Sequence, residues 1–170
     1  MAPMPRRSAG ILVHRGGDGA LEVLLAHPGG PYYVRKDDGV WTVPKGELDP
    51  DEEPLAAAVR EFTEEMGSPP PEGPREPLGE ARQSNGKVNV VWAVAGQFDV
   101  ATVRSNTFPM EWPPRSGRIQ QVEEIDRAEW FPLDVARRKI RSAQRPFLDR
   151  LEALLGEPGT TAASEPLNEA

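Results

Sequence analysis

Gly46-Glu47-Leu48-Asp49-Pro50-Asp51-Glu52-Glu53-Pro54-Leu55-Ala56-Ala57-Ala58-Val59-Arg60-Glu61-Phe62-Thr63-Glu64-Glu65-Met66-Gly67-Ser68 is the stretch on which the reading of this chain turns. It opens with a glycine in a short acidic loop and continues as a helix. Leu55, Val59, Phe62 and Met66 fall at spacings of four, three and four, which draws one apolar stripe along a helix. Ala56, Ala57 and Ala58 are strong helix formers. Pro54 fits only a first turn, so the helix is expected to start between Asp51 and Glu53, where acids suit the positive end of the dipole. Gly67 is the stop signal, and Pro69 prevents a restart.

The charges on this helix need a reason. Glu61, Glu64 and Glu65 stand at i, i+3 and i+4, so their carboxylates converge near the negative end of the macrodipole. Each like-charge pair costs only about 0.2–0.5 kcal/mol on an exposed helix, and one reading is therefore a solvated acidic face. The other is that a cation is the missing partner. Anionic oxygen ligands suit Mg²⁺ or Mn²⁺, and a glycine at position 46 can bring its bare backbone carbonyl to the same point.

The spacing is specific. Gly46, five residues, Glu52, seven residues, Arg60-Glu61, two residues, Glu64-Glu65, one residue, Gly67: this resembles the Nudix box. Every defined position matches except the last, where the family has an apolar residue and this chain has Ser68. That departure bears on packing after the helix, not on the carboxylates. The resemblance implies a metal-dependent hydrolase that cleaves a diphosphate linkage in a nucleoside diphosphate joined to another moiety, whether a dinucleoside polyphosphate, a nucleotide sugar or a nucleoside triphosphate. It implies Mg²⁺ or Mn²⁺ held by Glu61, Glu64 and Glu65 with the Gly46 carbonyl, and Arg60 with Glu52 as the ion pair that locks the loop onto the helix. The alternative is a non-catalytic nucleotide- or metal-binding sensor or interaction module on the same fold.

Composition narrows the field. At 170 residues the chain is large enough for one domain with a real core; residues 1–156 are read as that domain and residues 157–170, poor in apolar side chains, as a disordered tail. There is no cysteine, which excludes disulfides and thiol chemistry. No apolar run approaches the roughly 20 residues of a membrane helix. Arg6 and Arg7 are not followed by an apolar stretch of signal type, so a cytoplasmic location is expected. The net charge is −7, and residues 46–67 hold eight acids against one base, so the excess lies entirely there. An acidic site in a balanced surface points to metal, and through metal to a phosphorylated small molecule such as a nucleotide, rather than to nucleic acid. A monomer or a homodimer is compatible with this.

Along the rest of the chain, Ser8–His14 and Leu21–His27 read as a hairpin around Gly16-Gly17-Asp18-Gly19. His27 reads as structural. Val40–Val43 reads as a short strand into the box; Lys45 after it could meet a phosphate or equally be a solvated neighbour of the acidic loop. Residues 68–79, rich in proline, read as an irregular linker. Glu80–Ser84 and Lys87–Phe98, the latter expected to be the longest strand, pair across an Asn85-Gly86 turn. Both faces of the second strand are apolar, which predicts cover on both sides. Residues 99–117 read as a long irregular loop whose Trp112 and Arg115 could contact substrate. Ala128–Phe131 reads as strand. The segment resembles a Nudix feature in which an acid before that strand binds metal or serves as base; Glu124 is the choice here, with Glu123 beside it and Glu111 as a further acid. Leu133–Leu155 reads as a helix interrupted near Pro146. The order implies an α+β chain with helices on both faces of the sheet. The resemblance gives the same answer, a Nudix-type α/β/α sandwich with a mixed central sheet.

Overall fold

The structure is a computed structural model that describes residues 6–16 and 20–156; the tail expected at 157–170 lies outside the described residues. Its centre is β1 (Arg7–Arg15), whose side chains are buried on both faces from Ser8 to His14. The other elements follow as β2 (Glu22–Pro28), β3 (Lys45–Glu47), α1 (Pro54–Met66), β4 (Glu76–Arg82), β5 (Val88–Ala95), β6 (Thr107–Glu111), β7 (Ile119–Glu123), β8 (Ile125–Pro132), α2 (Leu133–Lys139) and α3 (Arg145–Gly156). The main sheet has six strands in the order β4-β5-β1-β2-β8, with β3 also paired to β1. It is mixed: β5 runs parallel to β1 from Arg7↔Val88 to His14↔Ala95, while the other pairs are antiparallel. One edge of β1 is shared. Its last residues pair with β2 and its first residues, Ser8 to Gly10, with β3.

Alternation along the strands sends side chains to two cores. Ala9, Ile11, Val13, Leu24 and Val94 meet Ala57, Ala58, Phe62 and Met66 of α1. Leu12, Val23, Leu25, Val91 and Ala93 meet Trp41, Ile140, Phe147, Leu148 and Leu151 on the side of α2 and α3. Cover on both faces of β5 is therefore as the sequence implies, although β5 has eight residues and β1, with nine, is longer.

Several local expectations are corrected. Gly46 is not in a loop but is the middle residue of β3, opposite Ala9. Residues 40–43 form no strand; Trp41 and Thr42 make only isolated bridges, to Ile140 and Ala26. The proline-rich linker ends early, because β4 begins at Glu76 and takes in Pro77. An edge strand tolerates a residue without an N–H, and the register shifts between Pro77 and Glu80, where Gly79 has φ 78°. Residues 107–111 are a strand too, paired with β7 as a separate two-stranded ribbon. The last helix breaks at Ile140 rather than at Pro146. Trp41 N–H donates to the Lys139 carbonyl and Arg141 N–H to the Trp41 carbonyl, so the 41 segment takes backbone bonds that a helix would use. Pro146 sits in the first turn of α3, where a missing N–H costs nothing.

Candidate active site

The helix start is close to expectation. Glu53 is the N-cap, its carboxylate accepting from the amides of Leu55 and Ala56, and Pro54 follows in the first turn. The helix ends at Gly67, which has φ 83°. A Cβ there would lie 2.7 Å from the Arg104 carbonyl oxygen, so only glycine fits both the backbone and the space.

Arg60 organises the acids. Its Nε and Nη2 donate to both oxygens of Glu52 at 2.7 and 2.8 Å, a bidentate pair that ties the loop before α1 to the helix. Its Nη1 donates to Glu61 Oε2 at 2.8 Å and to Glu64 Oε2 at 3.1 Å. The hydrogen bond from Arg60 holds the Glu52 carboxyl below its ordinary range, and the Arg60 guanidinium is stabilised in return. Glu61 packs directly on Gly46: a Cβ at position 46 would lie 1.8 Å from Glu61 Oε1. The glycine of the box is thus needed for the approach of a carboxylate. Glu65 is buried on the same helix and accepts from the Lys45 amide at 3.2 Å.

The fourth acid comes from far away in sequence. Arg104 N–H donates to the Met66 carbonyl and Asn106 N–H to the Glu64 carbonyl, which satisfies two of the free carbonyls at the end of α1. The Asn106 carbonyl then accepts from the Glu124 amide at 3.0 Å. This bridge sets Glu124 beside the helix. Burial is the main cause that raises the Glu65 carboxyl well above its usual range, and the Glu124 charge adds to it. Burial also raises Glu61, with Arg60 opposing and Glu64 and Glu124 reinforcing the shift. The four acids therefore share one electrostatic neighbourhood. Glu123 faces outward on β7, and Glu111 accepts from the Gly117 amide within the turn of the β6–β7 ribbon.

Among the described residues, no three His, Cys, Asp or Glu side chains stand as a ready-made metal cage. Glu61 and Glu64 turn to Arg60, and Glu65 to the Lys45 amide. The donor chemistry still fits a hard divalent cation. The donors are carboxylate oxygens, burial and neighbouring acids raise the proton affinity of Glu61 and Glu65, and among the described residues no positive side chain is bonded to the buried Glu65.

Beside these acids lies a polar cavity of about 300 Å³ bordered by Glu65, Glu124, Lys45, Lys87 and Arg141. Lys45 is largely buried, which brings its ammonium down to about 8, with the nearby Lys87 charge as the next cause. The β4–β5 turn delivers Lys87: Gly86 N–H closes onto the Gln83 carbonyl, and Asn85 Oδ1 accepts from the Lys87 amide. A larger cavity of about 790 Å³ lies at the other end of β1, around His14 and Arg15, and holds none of the expected catalytic, metal or substrate residues. Trp112 and Arg115 stand in the turn of the β6–β7 ribbon, Trp112 before a cis proline and Arg115 at φ 63°, and neither borders the smaller cavity. His27 is fully buried and structural, with Nε2 donating to the Lys36 carbonyl and Nδ1 against Asp126.

Sequence reasoning missed Lys87 and the 104–106 bridge, and it read Arg141 only as one of a basic run, Arg137-Arg138-Lys139-Arg141, that could steer phosphates or lie solvated. The only signal for the bridge was the long connection at 99–117. No helix among the described residues is long and apolar enough to cross a membrane.

Comparison with known proteins follows the same lines. A family model described as the NUDIX domain matches residues 4–151. No curated protein sequence matches the chain. Among solved structures, an Ap4A hydrolase of C. elegans in a binary complex is similar at TM-score 0.56 and 24% identity, over 88% of this chain and 97% of that one. The NUDIX domain of Shewanella oneidensis NrtR, complexed with ADP ribose, is similar at TM-score 0.60 and 19% identity, over 91% and 90%. A MutT NUDIX hydrolase from Burkholderia pseudomallei is similar at TM-score 0.57 and 22% identity, over 88% and 99%. At these identities the likeness is one of fold.

Proposed function

The chain belongs to the Nudix family, and from that premise we propose that it is a metal-dependent pyrophosphohydrolase acting on a nucleoside diphosphate linked to another moiety. The observation that carries this reading is the gathering of Glu61, Glu64, Glu65 and Glu124 at one end of α1, next to a cavity bordered by cations.

Glu61, Glu64 and Glu65, with the Gly46 carbonyl, would hold Mg²⁺ or Mn²⁺. When bound, such an ion supplies charge neutralisation on the diphosphate and makes water a better nucleophile. The chain's own residues do the rest. Arg60 and Glu52 fix the loop and orient Glu61 and Glu64. Lys45 binds a phosphate oxygen of the substrate. The Glu124 carboxylate accepts the proton of the attacking water as the oxygen joins phosphorus; the bridging P–O bond breaks, and the second phosphate leaves as an anion. Substrate contact is assigned to Lys45 rather than to Trp112 and Arg115, which lie off the cavity.

The test is product chromatography across a panel of nucleotides with Mg²⁺ or Mn²⁺, run alongside Glu64→Gln and Glu65→Gln. Turnover by the parent and loss in both variants, with unchanged melting temperature in the absence of metal, is the expected result. Full activity in both variants would remove the assignment. No turnover, with a metal-induced rise in melting temperature that both variants lose, would point to a binding module.

A further inference from the structure

The larger cavity, at the far end of β1, contains a buried titratable side chain that the proposed chemistry does not use. Alternation puts His14 on the face that carries Leu12, and only 7% of it is exposed. Among the described residues its ring makes no hydrogen bond, ion pair or ring contact, and it borders the cavity of about 790 Å³. The other histidine differs: His27 has both ring nitrogens engaged, by Asp126 and by the Lys36 carbonyl. Burial pushes the His14 imidazole down, so at neutral pH it is uncharged, with one nitrogen a donor and the other an open acceptor. A buried polar group without a partner is costly, and the cavity is where this ring can find one.

The charges around the cavity say what that partner carries. Arg15, Asp134, Arg137 and Glu152 border it. Both guanidiniums are already bonded, Arg15 to Glu22 and Gln97, Arg137 to Asp149 and Glu152. Asp134, exposed in the first turn of α2, makes no ion pair among the described residues. With those partners counted, two cations stand against four carboxylates. The C-terminal end of α3 adds the same sign: Leu155 and Gly156 border the cavity, and no basic residue lies in the last turn. Residues 157–170, which follow Gly156, contain no Lys or Arg, so they carry no side-chain cation to this place. A phosphate or a nucleotide would meet an excess of its own sign. Leu21, Leu133 and Leu155 supply an apolar wall, and the volume falls in the range of small-molecule sites, about 300–1,000 Å³.

We propose that this cavity is a binding site for a small primary amine with an apolar body, separate from the acids of α1: the ammonium takes Asp134 as counter-ion and donates to the His14 ring, and the apolar body lies on Leu21, Leu133 and Leu155. An ammonium has donors and no acceptor, which matches a carboxylate beside an open imidazole nitrogen. The inference does not rest on the hydrolase reading.

The test is an NMR titration of the isotope-labelled full chain with phenethylamine, and with phenethyl alcohol and phenylacetate, which keep the ring and replace the ammonium by a neutral or an anionic head. The expected result is amide shifts at Gly16, Gln97, Leu133 and Leu155, with affinity falling from amine to alcohol to carboxylate. Amine binding should weaken about tenfold in Asp134→Asn and in His14→Phe, as for loss of a charge-assisted hydrogen bond. His14→Phe keeps a ring in the core and removes the nitrogens; Asp134→Asn lies at an exposed position, so it decides alone if His14→Phe unfolds. Binding is read without nucleotide or metal, so the outcome stands apart from turnover. Alcohol binding as tight as amine binding, parent-like amine binding in Asp134→Asn, or shifts gathered at Lys45 and Glu65 instead would each overturn the proposal.

Discussion

The two ends of β1 carry two cavities that differ in the opposite sense from their size. At the far end, about 790 Å³ is bordered by Arg15 and Arg137, and each guanidinium is bound: Arg15 to Glu22 and Gln97, Arg137 to Asp149 and Glu152. At the near end, about 300 Å³ is bordered by Lys45 and Arg141, which have no carboxylate partner among the described residues, and by Glu65, a buried acid. A folded chain settles its charges against one another wherever nothing else needs them, because an unpaired buried charge is costly. The near end keeps its charges unsettled, and this, more than volume, marks it as the place where a ligand completes the structure.

The comparison breaks most visibly at Glu65. Glu65→Gln keeps shape and hydrogen bonding and removes the charge, so kcat should fall by about 10²–10³ or more, the scale for losing one preorganised electrostatic group, with the metal-free melting temperature unchanged or raised. Steady-state kinetics and a thermal melt check both halves.

Gly46→Ala comes next. Its new Cβ would lie 1.8 Å from Glu61 Oε1, so either Glu61 leaves or β3 shifts. The expected cost is about 1–3 kcal/mol, as for other overpacked sites, seen in urea unfolding together with a loss of turnover.

A pH series sharpens the contrast through the acids. The folded-state pKa of Glu65 is raised above its unfolded value, first by burial and then by Glu124. Stability from this group is therefore full below the ordinary carboxylate range and is lost as pH rises through the raised value. In a chelator the melting temperature of the parent should fall across that window more than that of Glu65→Gln. Divalent ion competes with the proton, so the metal-induced rise in melting temperature should grow with pH. An identical metal effect at pH 5 and pH 8 would contradict the role given to Glu65.

The smallest effects belong to the far end and to the β6–β7 ribbon. The Asp149 and Glu152 carboxylates that bind Arg137 are mostly exposed, so Arg137→Ala should cost no more than about 1 kcal/mol of stability, as exposed ion pairs do. Arg115→Ala, in the ribbon's turn, should change kcat/KM by less than about threefold, the range of substitutions away from a site. A large loss of activity from either would move substrate binding away from the cavity near Glu65.

Much of this was legible in one dimension because it lies on one helix. The acids of α1 repeat with the helical period, Arg60 and Glu52 fall within the same short stretch, and Pro54 and Gly67 mark its ends. The near-continuous apolar run of β5 announced cover on both faces. The misplacements have particular causes. Pro77 suggested a linker, but an edge strand with a bulge accepts it. Pro146 suggested a helix break, but the break is at Ile140, where Trp41 takes the backbone bonds. Residues 107–111 looked irregular because a two-stranded ribbon lacks the apolar alternation of a buried strand, and its residues are mostly exposed.

The sequence by itself determined the helix and its row of carboxylates, since residues a few positions apart on a helix meet whatever the rest of the chain does. The resemblance offered Glu124, but only the tertiary structure shows how it reaches them, through Asn106, and that Lys45, Lys87 and Arg141 share one cavity. Those groups come from separate elements, and no local period relates them. Their meeting depends on strand order, on the β4–β5 turn and on where the chain leaves α2, which are set by the packing of two cores against one sheet.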